Sequence, residues 1–207
     1  MKQEKVCLTT SDGPMNLHLF FPKSPEHIPI PAIIVLQEAF GVNENIQEIC
    51  KRFANQGFLA VAPELFHRVA HDLEIPYTDM PNVMSVLGSL TNDELHEDVK
   101  VAMDYVRNSS TVPISSIGSI GFCMGGFTSI LGACRLPLDF AISCYGGGIS
   151  NERAGIGFLP FMNEFKNIQC PVFLLYGETD HSIPPEQIEQ VRANLKRAEK
   201  EYEIKFL

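Results

Sequence analysis

The stretch IGSIGFCMGG, residues 117–126, decides how this chain folds. Its first half is apolar enough for a buried strand, and it then breaks into the pattern Gly-x-Cys-x-Gly around Cys123. The apolar run 127–134 follows and predicts a helix. On so sharp a strand-to-helix turn, a Cβ at Gly121 or Gly125 would collide with a neighbouring strand or helix, and the residue between them is exposed. The pattern therefore predicts an exposed nucleophile at Cys123; the alternative is a buried structural cysteine.

The segments before this turn predict a mostly parallel sheet. Residues 4–9 and 15–21 alternate like the strands of an antiparallel hairpin, with His18 on the exposed face. Residues 32–36 and 58–62 are continuous apolar runs, which are typical of buried parallel strands. The helical pattern between them gives a strand–helix–strand unit with a right-handed crossover.

The segments after residue 90 continue the alternation of helices and strands. A capping box over residues 91–94 predicts the start of a helix that ends near residue 108. Strands are predicted at 139–145 and 171–176, a helix over 185–200, and the beginning of a last strand at 201–207. The fold class expected is a single α/β domain over residues 1–207, with three layers, a mostly parallel central sheet and an N-terminal antiparallel hairpin.

Composition excludes several classes of partner. The formal net charge of −9 would repel both nucleic acid and an anionic membrane surface. The N-terminus lacks a signal-peptide pattern, and no apolar run is long enough to span a membrane. The six cysteines have no Cys-x-x-Cys spacing, which favours reduced, cytoplasmic thiols over a disulfide framework or a zinc site.

Four motifs together resemble the dienelactone hydrolase family of α/β-hydrolases. They are QEAFGVN at 37–43, APELF at 62–66, GFCMGG at 121–126 and GETD at 177–180, and they occur in the family's order along nearly the whole chain. The resemblance implies a hydrolase that cleaves a small ester or lactone through a cysteine acyl-enzyme, close to a carboxymethylenebutenolidase. It implies a small-molecule substrate and no metal or other cofactor.

Residues of the candidate site follow from chain order and from this resemblance. Asp180 comes after the nucleophile in a loop past a later strand, as the acid of a Cys-His-Asp triad does. The oxyanion hole needs two backbone N–H groups, expected at Met124 and Ala39. The resemblance also implies that Glu38 helps to generate the thiolate of Cys123, because a free thiol is only slightly ionised at neutral pH.

The triad histidine is expected outside residues 1–207. In the family this residue lies just after the last strand, followed by a covering helix, so the chain is expected to be incomplete at its C-terminus. His181 is the alternative base, although neighbours in sequence rarely orient each other as a triad requires. His27 and His96 are expected at the surface.

The substrate pocket is expected at the carboxyl ends of the strands, with a mainly apolar lining that includes Phe40. His67, Arg68 and His71 are further candidates for this lining. No arginine lies between Arg68 and Arg107, so a weak preference for anionic lactones is expected. Other functions that the pattern allows are a thioesterase or general carboxylesterase, and a non-catalytic relative with a redox-reactive or ligand-binding Cys123.

Overall fold

The computed structural model describes residues 1–23, 28–109 and 112–207, so the prediction for His27 lies outside the described residues. Within these ranges the chain forms an eight-stranded sheet in the order β1-β2-β4-β3-β5-β6-β7-β8. The strands are β1 Lys2–Thr10, β2 Gly13–Phe21, β3 Ile30–Leu36, β4 Leu59–Pro63, β5 Ile114–Phe122, β6 Phe140–Cys144, β7 Val172–Tyr176 and β8 Tyr202–Phe206. The helices are α1 Glu44–Asn55, α2 Met80–Ser89, α3 Asn92–Ser109, α4 Met124–Arg135 and α5 Pro185–Arg197, with a 3₁₀ helix at Met162–Asn167.

The sheet is parallel from β4 and β3 through β8, and β2 pairs antiparallel with both β1 and β4. The carboxyl ends of β3 and β5 are in register, with Leu36 opposite Gly121. The prediction of a mostly parallel sheet with an N-terminal antiparallel hairpin is therefore confirmed. This register places the residues that follow β3 and β5 at the same edge of the sheet.

Helices cover the sheet on both faces, which gives the three layers predicted. Ile46, Cys50 and Ala54 of α1 pack with Ile33 and Val35 on one face. The apolar faces of α2 to α5 belong to the larger core on the other face. Each large aliphatic side chain buried in this way contributes about 1.5–3 kcal/mol to folding. None of the helices in the described residues is long and apolar enough to cross a membrane.

The predicted buried face of the hairpin is confirmed, whereas the face that carries His18 is less exposed than predicted. Met15, Leu17 and Leu19 are buried, as the alternation predicts. The His18 side chain is expected to be exposed, but its relative accessible surface is only 15%. It packs against Glu64, with His18 Nε2 2.8 Å from Glu64 Oε1. The glutamate follows β4, which pairs with β2, so a contact between strands explains this difference.

Two helices differ from the sequence expectation. Helix α4 begins at Met124, directly after Cys123, rather than at residue 127. Helix α2 lies in a region where the sequence shows no clear period, and its N-cap Asp79 accepts a hydrogen bond from the Asn82 N–H. The capping box is confirmed: Thr91 Oγ1 accepts from the Glu94 N–H, and the Glu94 carboxylate accepts from the Thr91 N–H.

Candidate active site

Cys123 lies at the junction of β5 and α4 with a strained backbone. Its φ of 54° and ψ of −117° lie outside the regions that L-residues normally occupy. The turn is held by a hydrogen bond from the Cys123 N–H to the Cys144 carbonyl, 3.0 Å, and by the Gly126 N–H to the Cys123 carbonyl, 2.9 Å. A strained residue held by its neighbours in this way is typical of functional sites.

The two glycines of the pattern have the steric role predicted for them. A Cβ at Gly121 would lie 1.9 Å from the Gly125 carbonyl oxygen, and a Cβ at Gly125 would lie 2.3 Å from the Leu36 carbonyl oxygen. Both obstacles are backbone atoms, so a side chain at either position would force strand and helix apart. This close approach brings the start of α4 next to the end of β3.

The Cys123 thiol is half-buried. Burial raises the pKa of the thiol above its ordinary value, and the Met124 N–H opposes this effect by hydrogen bonding to the sulfur. The carboxylates of Glu38 and Asp180 raise the pKa further, whereas the Arg153 guanidinium lowers it. A raised pKa disfavours the thiolate, so the surroundings of the thiol oppose its ionisation in this structure.

Glu38 follows β3, is half-buried, and lies close enough to Cys123 for its charge to raise the pKa of the thiol. Its Oε1 accepts a hydrogen bond of 3.0 Å from the Tyr145 hydroxyl. Tyr145 also has a positive φ, 43°, at the end of β6. Burial, with the Glu38 carboxylate as the next cause, raises the pKa of the Tyr145 hydroxyl. Sequence reasoning missed Tyr145 as a residue of the site. Its position directly after a parallel strand and before Gly146 was the one feature of the sequence that could have indicated this role.

The two amides expected to form an oxyanion hole both border one cavity. Ala39 and Met124 line it together with Cys123. Met124 is the first residue of α4, so its N–H has no partner within the helix and faces the sulfur instead. In the described part of the chain, no backbone or side-chain acceptor engages the Ala39 N–H. Among the described residues, the Ala39 N–H is therefore available to a ligand in this cavity, whereas the Met124 N–H contacts the sulfur.

Asp180 lies in the turn that follows β7. Its Oδ1 accepts hydrogen bonds from the Ser182 N–H, 2.8 Å, and the Ser182 hydroxyl, 2.6 Å. The hydroxyl bond is the main reason that the pKa of Asp180 is lowered, and the positive charge of Arg153 adds to it. The carboxylate is close enough to Cys123 for its charge to raise the pKa of the thiol. The neighbouring His181 is exposed.

A cavity of about 400 Å³ opens beside the Cys123 sulfur and has mainly apolar walls. Helix α2 forms one wall, and residues 153–158 with Phe40 form much of the rest; its lining is Ala39, Phe40, Met80, Val83, Met84, Leu87, Cys123, Met124, Gly147, Arg153, Ala154, Ile156 and Phe158. Phe40 is thus where the sequence analysis expects it. A larger hollow of about 610 Å³ between Asn43 and Tyr77 contains none of the candidate catalytic residues.

The structure corrects the expectation that Arg68, His67 and His71 line this cavity. Arg68 donates to both oxygens of the buried Asp98, at 2.8 and 3.0 Å, and its Nε donates to Asp12. His67 Nε2 is 3.1 Å from the same Asp98 carboxylate. A fully buried carboxylate needs such partners, so these side chains turn toward α3. His71 is exposed.

Arg153 is the charged residue among the cavity-lining residues that sequence reasoning missed. It lies in the stretch 151–167, which shows no clear period in the sequence, and its half-buried side chain lines the cavity together with Cys123.

His96, which the sequence analysis expects at the surface, is half-buried on α3. Burial is the main cause that lowers the pKa of its imidazole.

One group of residues outside the cavity has the composition of a metal site. Within the described residues, ligand atoms of His18, Glu64 and Asp72 lie within 4.8 Å of one another. Glu64 is already bonded to His18, Asn16 and the Asp72 N–H, and Asp72 is bonded to Lys5 Nζ at 2.6 Å. These contacts occupy the candidate ligand atoms and join the hairpin to the loop after β4.

This sheet order and strand-to-helix turn define the α/β-hydrolase fold, and the comparisons with known proteins agree. The crystal structure of a "Putative Dienelactone Hydrolase" from Klebsiella pneumoniae superposes with a TM-score of 0.86 at 27% identity, over 99% of this chain and 84% of that one. An esterase from Pyrococcus furiosus superposes with a TM-score of 0.76 at 15% identity, over 99% of this chain and 81% of that one, which shows the fold alone.

A profile of the dienelactone hydrolase family matches residues 15–207, and the chain belongs to that family. Two relatives are each named "Putative carboxymethylenebutenolidase". The one from Yersinia pestis is 33% identical over 91% of this chain and 70% of its own length. The one from Escherichia coli O157:H7 is 35% identical over 85% of this chain and 64% of its own length. The prediction of an ester- or lactone-cleaving hydrolase is confirmed at the level of the family.

Proposed function

We propose that this chain hydrolyses a small ester or lactone through an acyl-enzyme on Cys123, in the manner of a dienelactone hydrolase. The observation that carries the proposal is the strained turn at Cys123, which holds the sulfur at the mouth of an apolar cavity with the Met124 N–H against it. A structural cysteine would need neither the strain nor the cavity.

In the proposed reaction the sulfur attacks the carbonyl carbon of the substrate. A C–S bond forms, and the electron pair of the C=O double bond moves to the oxygen, where the N–H groups of Ala39 and Met124 stabilise it. The tetrahedral intermediate collapses to a thioester, and the alcohol part leaves with a proton. Water then attacks the thioester, which releases the acid and restores the thiol.

The proton of the Cys123 thiol has to be removed before this attack. Glu38 is a carboxylate whose charge acts on the sulfur, and its Oε1 accepts a hydrogen bond from the Tyr145 hydroxyl. We assign Glu38 the first proton transfer from the thiol, and Asp180 the orientation of a histidine base. No histidine lines the cavity in the part of the chain that the structure describes, so the test supplies imidazole as the base.

The test is acyl transfer from p-nitrophenyl acetate in the presence and absence of imidazole. We expect an initial release of nitrophenolate with acetylation of the peptide that contains Cys123, followed by a slower phase that imidazole accelerates. Cys123→Ala should lose both phases, and Cys170→Ala, a matched substitution of a buried thiol, should keep them. Acetylation elsewhere, or equal rates in Cys123→Ala, would rule out the proposed nucleophile.

We also propose a cytoplasmic location, because all six cysteines are unpaired thiols and a reducing compartment preserves them. Fractionation of cells that produce a tagged full-length protein tests this, and recovery from an oxidising compartment would contradict it.

A further inference from the structure

Strand β8 lies at one edge of the sheet and carries two opposite charges. In the described ranges 1–23, 28–109 and 112–207 it pairs with β7 and with no strand on its other side. Such an open edge is a template for another strand, unless features such as proline or repelling charges prevent the pairing. Glu203 and Lys205 lie on the same face of β8, and their side chains are 60% and 58% exposed. The edge therefore presents a negative and a positive side chain two residues apart.

The free backbone groups of this edge belong to the even-numbered residues of β8. On the side toward β7, the Glu201 carbonyl and both the N–H and the carbonyl of Leu207 are hydrogen-bonded. The direction of these groups alternates along a strand. The N–H and carbonyl groups of Tyr202, Ile204 and Phe206 therefore point away from β7, toward the open edge.

Two copies of the chain can pair these edges antiparallel about a two-fold axis. An axis at Ile204 places this residue opposite itself and Tyr202 opposite Phe206 of the second copy, and each such pair exchanges two backbone hydrogen bonds. The same register places Glu203 opposite Lys205 of the second copy. These are the pairs without backbone hydrogen bonds, in which the side chains lie closest together.

The charges favour this register over its two neighbours. An axis at residue 203 would place Glu203 opposite its own copy, and an axis at residue 205 would place Lys205 opposite its own copy. Like charges directly opposite each other destabilise a pair of strands, whereas opposite charges stabilise it. Of the three registers, the one centred on Ile204 is therefore the one in which both charge pairs are attractive.

We infer that β8 is a self-association surface, through which two copies of this chain form a symmetric dimer with one continuous sheet. The dimer also covers Phe206, which is 41% exposed in the single chain, by packing it against Tyr202 of the second copy. Such a contact is isologous, because the same surface of each copy meets itself. The inference does not depend on the proposed function, since the candidate catalytic residues lie outside β8.

Sedimentation equilibrium across the micromolar range tests the dimer. The mass of the wild-type protein should approach twice the 23.0 kDa of one chain as its concentration rises. Lys205→Glu turns both charge pairs of the interface into like-charge pairs and should raise the dissociation constant about tenfold or more. The double variant Glu203→Lys/Lys205→Glu makes both pairs attractive again and should return it to within about threefold of wild type.

A mixture of single variants separates a contact between chains from a contact within one chain. Glu203 and Lys205 also pair within one chain, with Lys205 Nζ 3.1 Å from Glu203 Oε1, and the double variant restores that pair too. Glu203→Lys and Lys205→Glu each carry like charges within their own strand. When the two are mixed, both cross-strand pairs bring a lysine opposite a glutamate. The equimolar mixture should therefore dimerise at a concentration at which each variant alone is monomeric.

Lys2→Glu is the matched control at the opposite edge of the sheet. Lys2 pairs with Glu4, two residues further along β1, so the same change of charge breaks the same kind of pair. It should leave the dissociation constant unchanged. A wild-type protein that stays monomeric throughout the range would overturn the inference, as would a mixture of the two single variants that stays monomeric. Equal weakening by Lys2→Glu and Lys205→Glu would also overturn it.

Discussion

Replacement of Cys123 by glycine should stabilise the protein relative to replacement by alanine. The φ of 54° and ψ of −117° are strained for any residue with a Cβ and are accessible to glycine. Strain of this kind costs about 1–3 kcal/mol. Glycine offsets part of the gain because its unfolded chain has more freedom, which is worth about 0.4–1 kcal/mol. The Cys123→Gly variant should therefore be more stable than Cys123→Ala by about 1 kcal/mol.

Cys50 provides the matched comparison. It is a buried cysteine in the middle of α1, where a helical backbone suits alanine. There Cys50→Ala should be more stable than Cys50→Gly by about 1 kcal/mol, the ordinary difference in helix propensity. The order of glycine and alanine is thus expected to reverse between the two sites.

Urea denaturation of the four variants measures this reversal. The slope of unfolding free energy against urea should be the same for all four, so that shifts in midpoint report stability alone. Both Cys123 variants lack the thiol, so the difference in unfolding free energy between them reports the cost of the backbone conformation at residue 123. If Cys123→Ala is as stable as Cys123→Gly or more so, the turn stores no strain and the reasoning is refuted.

Three other predictions concern the surroundings of the thiol and the hairpin. Glu38→Gln should move the pH profile of Cys123 alkylation by iodoacetamide to lower pH, because the Glu38 carboxylate raises the pKa of the thiol; an unchanged profile, or one moved to higher pH, would contradict this effect of the carboxylate. Gly125→Ala should cost about 3 kcal/mol and abolish acylation, since its Cβ meets backbone oxygen at 2.3 Å. Gly132→Ala in the same helix, with its nearest atom at 3.4 Å, should be neutral or stabilising, and equal losses would contradict the steric argument. Burial alone would raise the pKa of Glu64, but its hydrogen bonds, led by that from His18, lower it from 4.5 to about 2. Its carboxylate therefore stabilises the fold by about 3 kcal/mol above pH 4.5, and this contribution is lost as the pH falls toward 2. The difference in unfolding free energy between wild type and Glu64→Gln should shrink by about 2 kcal/mol from pH 7 to pH 3, and a constant difference would argue against the pairing.

The sequence by itself determined the features that depend on local chemistry. Gly121 and Gly125 mark the turn because only glycine allows strand and helix to approach so closely. The alternation in residues 15–21 predicts the buried face of the hairpin, and residues 91–94 predict the capped start of α3. In each case the decisive partners are a few residues apart, so the pattern is visible in the chain.

Tertiary structure alone decided which charged and polar side chains meet at the site. Tyr145 bonds to Glu38 across 107 residues of sequence, and Arg68 turns to Asp98 across 30, away from the cavity that it was expected to line. Arg153 lines the same cavity as Cys123 although it comes from a segment without periodicity. The charge and length of a side chain do not specify its partner. Long-range pairing depends on the strand register and the loop paths that bring distant residues together.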